Sequence, residues 1–167
     1  MIIFDSSTLT LIARIDLLGS FLAGVESPLA IPTEVARECC GVKRTLDALM
    51  IQKALEESRI QVVTIKNRQL MAKLQADFNL GKGEAEAIAL AIKEKAQLLG
   101  IDDKNGINAC KLLGIPFTTA MGIVVRSREK GLLDHRDALA KLRALAEYGR
   151  YKPAIVEDAR RRMEQRK

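Results

Sequence analysis

The chain has 167 residues, of which 48% are apolar and 29% charged, a balance typical of one globular domain and not of a disordered segment. Its apolar runs are too short to span a bilayer, and no secretory leader pattern opens the sequence, so we expect a cytoplasmic protein without a membrane segment. The three cysteines show neither metal-binding spacing nor a disulfide framework, which fits a reducing compartment.

The net charge of +6 is concentrated near the end of the sequence. Residues 141–167 contain 9 Lys and Arg against 4 Asp and Glu, which gives +5 there and leaves +1 for residues 1–140. We therefore divide the chain into a nearly neutral domain, residues 1–140, and a basic helical extension, residues 141–167. A basic extension suits an anionic partner, with nucleic acid first, whereas a charged run more often is only a solvated helix face.

Short apolar runs alternate with helical patterns along the chain. We predict strands at residues 2–4, 29–31, 60–65, 98–101 and 115–117. Helical patterns lie at residues 6–19, 32–40, 45–58, 70–78, 85–92, 108–113, 121–129, 134–148 and from Pro153 onward. This alternation predicts an α/β fold with a mainly parallel sheet that is covered by helices on both faces.

Acidic residues stand where predicted strands end and helices begin. Asp5 ends the first strand, Glu84 follows a Gly-Lys-Gly turn into a helix, and Asp102-Asp103 ends the fourth strand. Each acid alone has a plain structural use, because aspartate caps helices and the helix dipole favours a glutamate in the first turn. Two adjacent carboxylates repel one another, however, so capping accounts for only one member of the Asp102-Asp103 pair.

The helix after the second strand offers a further acid. Glu34 and Glu38 lie four residues apart, and their spacing does not choose between them. At the first strand, Ser6 or Ser7 can cap the helix, which leaves Asp5 for another role. Ligands of open α/β sheets bind outside the carboxyl ends of the strands, so we expect the acids to gather at that edge.

A cluster of carboxylates at one edge indicates a bound cation. Oxygen ligands without a histidine or cysteine partner suit Mg²⁺ or Mn²⁺ and not zinc. Such an ion activates water and neutralises charge on a phosphodiester. Other chemistries lack their residues, since His135 is the only histidine and Gly81-Lys82-Gly83 does not have the P-loop pattern.

The strings that contain these acids resemble the PIN-domain nucleases over roughly residues 1–133. The resemblance rests on the order and spacing of IIFDSSTL, IPTEVARE, LGKGEAEAIALA, LLGIDDK and GIPFTTAMGIVVRSREKGLL. It is most like the compact prokaryotic branch, many of whose members are ribonuclease toxins held by an antitoxin. The resemblance implies a three-layer α/β/α fold and a ribonuclease that depends on Mg²⁺ or Mn²⁺.

The resemblance also implies an acid at each of four positions. Asp5 matches the first, Glu38 matches the second better than Glu34 does, and Glu84 matches the third. Asp103 or Asp102 matches the fourth. The implied catalytic residues, listed in order, are Asp5, Glu38, Glu84 and Asp103, with Asp102 as an added metal ligand.

The same comparison implies substrate contacts and partners. Ser6 or Ser7 matches a hydroxyl residue that helps to position phosphate or water, and Thr119 lies in the late Gly/Thr-rich turn. Lys104 and Asn105 stand where relatives often carry an arginine, which puts the grip on substrate there in question. The implied partners are single-stranded or structured RNA, an antitoxin protein and a second copy in a homodimer. The alternative function is a catalytically silent module that binds RNA or a protein partner.

Overall fold

A five-stranded sheet forms the centre of the fold. The computed structural model of the protein describes residues 1–42, 45–149 and 151–164. Within these ranges the strands are β1 (Ile2–Phe4), β2 (Leu29–Pro32), β3 (Gln61–Val63), β4 (Leu98–Gly100) and β5 (Phe117–Thr118). They pair in the order β3-β2-β1-β4-β5, and all their pairings are parallel. The predicted mainly parallel sheet is confirmed, with β1 at its centre.

Ten helices in the described ranges connect and cover the strands. They are α1 (Ser6–Arg14), α2 (Leu18–Gly24), α3 (Thr33–Cys40), α4 (Leu46–Glu56), α5 (Arg68–Phe78), α6 (Lys82–Lys93), α7 (Lys104–Leu113), α8 (Ala120–Glu129), α9 (His135–Tyr148) and α10 (Pro153–Glu164). No single one of them is long and apolar enough to cross a membrane. Within the described ranges, only α1 and α2 taken together reach that length and hydropathy, and they are bent by 107° at their break.

Two hydrophobic clusters lie on opposite faces of the sheet. Ile2 and Phe4 pack with buried residues of α1, α4, α8 and α9, whereas Ile3 between them packs with residues of α6 and α7. Successive side chains of a strand point to opposite faces, so β1 separates the two helical layers. The predicted three-layer α/β/α fold is confirmed.

The helix predicted over residues 6–19 is wrong because it is two helices. Helix α1 ends at Arg14, and Asp16 adopts a left-handed conformation with φ of 55°. The Leu17 amide then donates a hydrogen bond of 2.9 Å to the Ile12 carbonyl, which closes the turn. Leu17 and Leu18 both become buried as α2 begins in a new direction. The turn predicted at Gly81-Lys82-Gly83 is also wrong in extent, because helix α6 already begins at Lys82 and only Gly81 of the three residues precedes it.

The basic extension contributes to the same core as the sheet. The extension buries Leu142 and Leu145 of α9 and Ala159 and Met163 of α10 against α8 and the layer that contains Phe4. The proposed division at residue 140 falls inside α9. Part of the positive charge of the extension is paired within α10, where Arg160 forms ion pairs with Glu157 and Glu164 and Arg161 forms one with Glu157.

Candidate active site

Asp5 lies at the end of the central strand and is almost fully buried, with 1% of its surface exposed. Its Oδ1 atom accepts hydrogen bonds from the Thr8 amide at 3.0 Å and from the Ser7 hydroxyl at 2.8 Å. Asp5 is therefore itself the N-cap of α1, and the prediction that Ser6 or Ser7 is the cap is wrong. An aspartate can cap because its short side chain reaches the free amides of the first turn.

Asp102 follows β4 and is tied to the first turn of α1. The Thr8 hydroxyl donates to its Oδ2 atom at 2.7 Å, and the Asp102 amide donates to the Ser7 hydroxyl at 3.2 Å. The Ala120 amide, at the start of α8, also donates to Oδ2 at 2.8 Å. Ser7 and Thr8 thus each form hydrogen bonds with both Asp5 and Asp102. These bonds link the two aspartates that follow the neighbouring strands β1 and β4.

Glu84 and Glu38 approach this edge from α6 and α3. Glu84 folds back to accept a hydrogen bond of 2.8 Å from the Gly81 amide, which fixes it in the first turn of α6. The carboxylate of Glu38 accepts a bond of 2.5 Å from the Ser6 hydroxyl. It also fills the place of the missing side chain of Gly83, where an added Cβ would lie 2.5 Å from Oε2. Glu38 of α3 therefore lies close to the first turn of α6, which carries Glu84.

Glu34, the alternative to Glu38, points elsewhere. Its carboxylate pairs with the exposed guanidinium of Arg37 one turn later. This ion pair and its hydrogen bonds lower the pKa of Glu34 below the ordinary glutamate value. The structure thus favours Glu38 as the acid that α3 presents to the site.

Asp103 and Thr119 each cap a helix at the same edge of the sheet. Asp103 Oδ1 accepts bonds of 2.7 and 2.9 Å from the Asn105 and Gly106 amides at the start of α7. The Thr119 hydroxyl accepts a bond of 3.2 Å from the Gly122 amide at the start of α8. Of the adjacent pair, Asp103 is the member that caps, and Asp102 is the member that bonds toward Asp5 and α1.

Burial and mutual repulsion make these acids reluctant to ionise. Burial, with smaller contributions from the negative charges of Asp102 and Glu84, raises the pKa of Asp5 to about 7. Burial also raises the pKa of Glu84, and the charges of Asp103 and Glu38 add to it. The pKa of Asp102 is raised by burial as well, against the opposing effect of its hydrogen bonds. A carboxylate cluster of this kind is stabilised by a cation.

The donor chemistry fits a hard divalent ion, although the structure does not assemble a complete metal-binding group. In the described part of the chain, no three acidic, histidine or cysteine side chains stand together as a group that could hold one ion. The five predicted metal ligands, Asp5, Glu38, Glu84, Asp102 and Asp103, are each held instead by hydrogen bonds to neighbouring donors. The atoms that these five residues offer to a metal ion are all carboxylate oxygens, which is the chemistry of Mg²⁺ and Mn²⁺ sites.

Two residues of this site have no signal in the sequence. Thr8 is one of three consecutive hydroxyl residues, and the sequence does not indicate that its hydroxyl donates a hydrogen bond to Asp102. Tyr151, in the connection between α9 and α10, donates its hydroxyl to Asp102 Oδ1. Burial and the charge of Asp102 raise the pKa of Tyr151 above its ordinary value, so its hydroxyl remains a donor.

The chain matches a known protein family over nearly its whole length. A family model described as a PIN domain matches residues 1–165 and so includes α9 and α10. PIN domains are generally nucleases and typically use divalent metal ions. No curated protein has a significant sequence match to the chain.

Proposed function

We propose that this chain, which belongs to the PIN-domain family, is a ribonuclease that hydrolyses RNA phosphodiester bonds with Mg²⁺ or Mn²⁺. The observation that carries the proposal is that Asp5, Asp102, Glu38 and Glu84 all approach the carboxyl edge of the sheet, where, in addition to burial, the charges of Asp102 and Glu84 raise the pKa of Asp5 and that of Glu38 raises the pKa of Glu84. A protein that only bound a polyanion would gain nothing from a cluster of acids. The preference for RNA rests on the sequence resemblance.

Each acid has a distinct place in this proposal. Asp5, Glu38, Glu84 and Asp103 would hold the ion, with Asp102 as an added ligand beside Asp5. A bound divalent ion lowers the pKa of a water nucleophile and offsets the negative charge that develops on phosphate. Hydrogen bonds engage only one carboxylate oxygen in each of Glu38, Glu84 and Asp103 among the described residues, which leaves the second oxygen of each for an ion.

The residues around the acids can also contact the substrate. Exposed Lys82 lies two residues before Glu84 and exposed Lys104 directly follows Asp103, so their charges attract a phosphate backbone to the acidic edge. In our proposal, Lys104 takes the place of the arginine that relatives often carry. Ser6 and Thr119 are the proposed substrate-binding hydroxyls. In this structure the Ser6 hydroxyl donates a hydrogen bond to Glu38, and the Thr119 hydroxyl accepts one from the Gly122 amide.

Metal dependence is the direct test of the proposal. Wild-type protein incubated with labelled single-stranded or structured RNA should cleave it in Mg²⁺ or Mn²⁺ and stop in EDTA, because the acids alone cannot stabilise a developing anion. Binding without cleavage in either metal would contradict the enzyme and favour the silent binding module. Adding the product of the adjacent upstream gene tests the toxin part of the proposal, since an antitoxin would stop cleavage.

A pair of substitutions in α3 separates the two glutamates. Glu38→Gln should lower the cleavage rate by about a hundredfold or more, equivalent to roughly 2.7 kcal/mol, because it removes a charge that faces the ion. Glu34→Gln is the matched control and should change the rate by less than about twofold, since the Glu34 carboxylate pairs with the exposed guanidinium of Arg37 and not with the residues of the site. Equal losses in both variants, measured as initial rates, would contradict the assignment of Glu38.

A further inference from the structure

The connection between α9 and α10 brings a phenol into the acidic site. Tyr151 is half-buried, its ring packs against the core layer that contains Phe4, and its hydroxyl donates to Asp102 Oδ1. The two residues are 49 positions apart in the sequence. The extension therefore contributes a polar group to the site, in addition to its packing against α8.

The Tyr151 hydroxyl completes a set of donors around one carboxylate. Oδ2 of Asp102 accepts from the Thr8 hydroxyl and the Ala120 amide, and Oδ1 accepts from Tyr151. These donors come from α1, from the start of α8 and from the extension, so they fix the plane of the carboxylate from separate sides. A carboxylate oxygen can accept two hydrogen bonds, so Oδ1 keeps one position open beside the phenol.

A glycine makes room for the tyrosine ring. A Cβ added at Gly149 would lie 2.3 Å from Cε2 of Tyr151, which is far inside a normal contact. The backbone of Gly149 has φ of −88° and ψ of −3°, values that alanine adopts without strain. An added Cβ would also lie 3.0 Å from the Leu145 carbonyl oxygen, but its closest contact is with the Tyr151 ring, so the absence of a side chain at residue 149 chiefly serves the close approach of the ring.

We propose that Tyr151 is a positioning residue, which holds Asp102 in the orientation that a divalent ion requires at this site. The inference rests on the proposed function. Hydrogen-bond donors behind a metal ligand orient it, and their removal commonly weakens metal binding. The basic extension, residues 141–167, would in this way be part of the catalytic unit.

The test is titration calorimetry of the whole metal-free protein with Mn²⁺. Tyr151→Phe keeps the ring and removes the hydroxyl, and we expect it to bind Mn²⁺ about tenfold more weakly than wild type. Gly149→Ala displaces the ring without changing a polar side chain and should weaken binding in the same direction. Tyr148→Phe is the matched control, since that tyrosine is 50% exposed and lies over Arg14 instead, and it should bind like wild type.

RNA cleavage distinguishes the possible results. For Tyr151→Phe, the lost cleavage should be recovered at high Mn²⁺ concentration, a rescue that general damage to the fold would not show. Wild-type Mn²⁺ affinity in Tyr151→Phe would overturn the inference about Tyr151 without contradicting the proposed ribonuclease. Tighter Mn²⁺ binding in Tyr151→Phe would also overturn the inference, because it would show that the phenol blocks the site. A wild-type protein that neither binds Mn²⁺ nor cleaves RNA would overturn the proposed function itself.

Discussion

Asp5→Asn is expected to lower RNA cleavage on the order of a thousandfold. Asparagine has nearly the same shape and is an equally good N-cap, so the Thr8 amide keeps its acceptor and α1 keeps its start. What the variant loses is the negative charge at the centre of the acidic edge. A thousandfold loss corresponds to about 4 kcal/mol, the order of the charge stabilisation that a metal ion supplies in a transition state.

The matched control for this variant is Asp16→Asn. Asp16 is exposed and adopts a left-handed backbone conformation, which asparagine tolerates well. Its cleavage rate should equal that of the wild type in a single-turnover assay with excess protein. An Asp5→Asn protein that cuts RNA at the wild-type rate would remove Asp5 from the proposed mechanism.

The same substitution should stabilise the metal-free protein at neutral pH. The unfolded chain releases the Asp5 proton near pH 3.8, whereas the folded protein retains it up to about pH 7. Between these values the folded state binds more protons, so the contribution of Asp5 to the free energy of unfolding falls as pH rises. It is fully present below pH 3.8 and is lost above about pH 7, a difference of up to about 4 kcal/mol.

Urea unfolding in EDTA at a series of pH values between 4 and 8 measures this effect. Wild-type stability should decline across the window, and Asp5→Asn should decline less because it has no proton to release. At pH 8 the variant should be the more stable protein. A variant that is less stable than wild type at pH 8 would show that Asp5 is well accommodated as an anion without a metal.

If Asp5→Asn loses cleavage activity while it gains stability, the lost activity cannot be attributed to unfolding. A dead variant that merely unfolds cannot be more resistant to urea than its parent. The comparison therefore identifies Asp5 as a residue whose charge costs stability in the folded chain. Stability given up at a site is commonly linked to the activity of that site.

Sequence patterns predict the frame of this molecule well. The apolar run before Asp5, the run before Asp102 and the helical patterns between them place strands and helices close to their observed positions. The reason is that burial in a parallel sheet requires continuous apolar strands, and the alternation with helices fixes which strand ends share an edge. The same alternation predicts that Asp5 and Asp102 follow strands whose carboxyl ends share one edge of the sheet.

The details within the site could not be predicted in this way. Whether Asp5 or a following serine caps α1 depends on side-chain geometry over three residues, and either choice satisfies the same rule. The contact of Tyr151 with Asp102 depends on how α9 and α10 pack against α8, which no local pattern encodes. Local periodicity describes which face of a helix is buried and not which distant group it meets.

The order in which the chain is made gives the Tyr151 contact a final consequence. Synthesis proceeds from the amino terminus, and Asp102 is joined to the polypeptide 49 residues before Tyr151. A nascent chain on the ribosome therefore holds all the acids while it still lacks the group that orients one of them. If orientation governs metal affinity as proposed, the nascent chain binds the divalent ion weakly until Tyr151 has left the ribosome and packed beside Asp102.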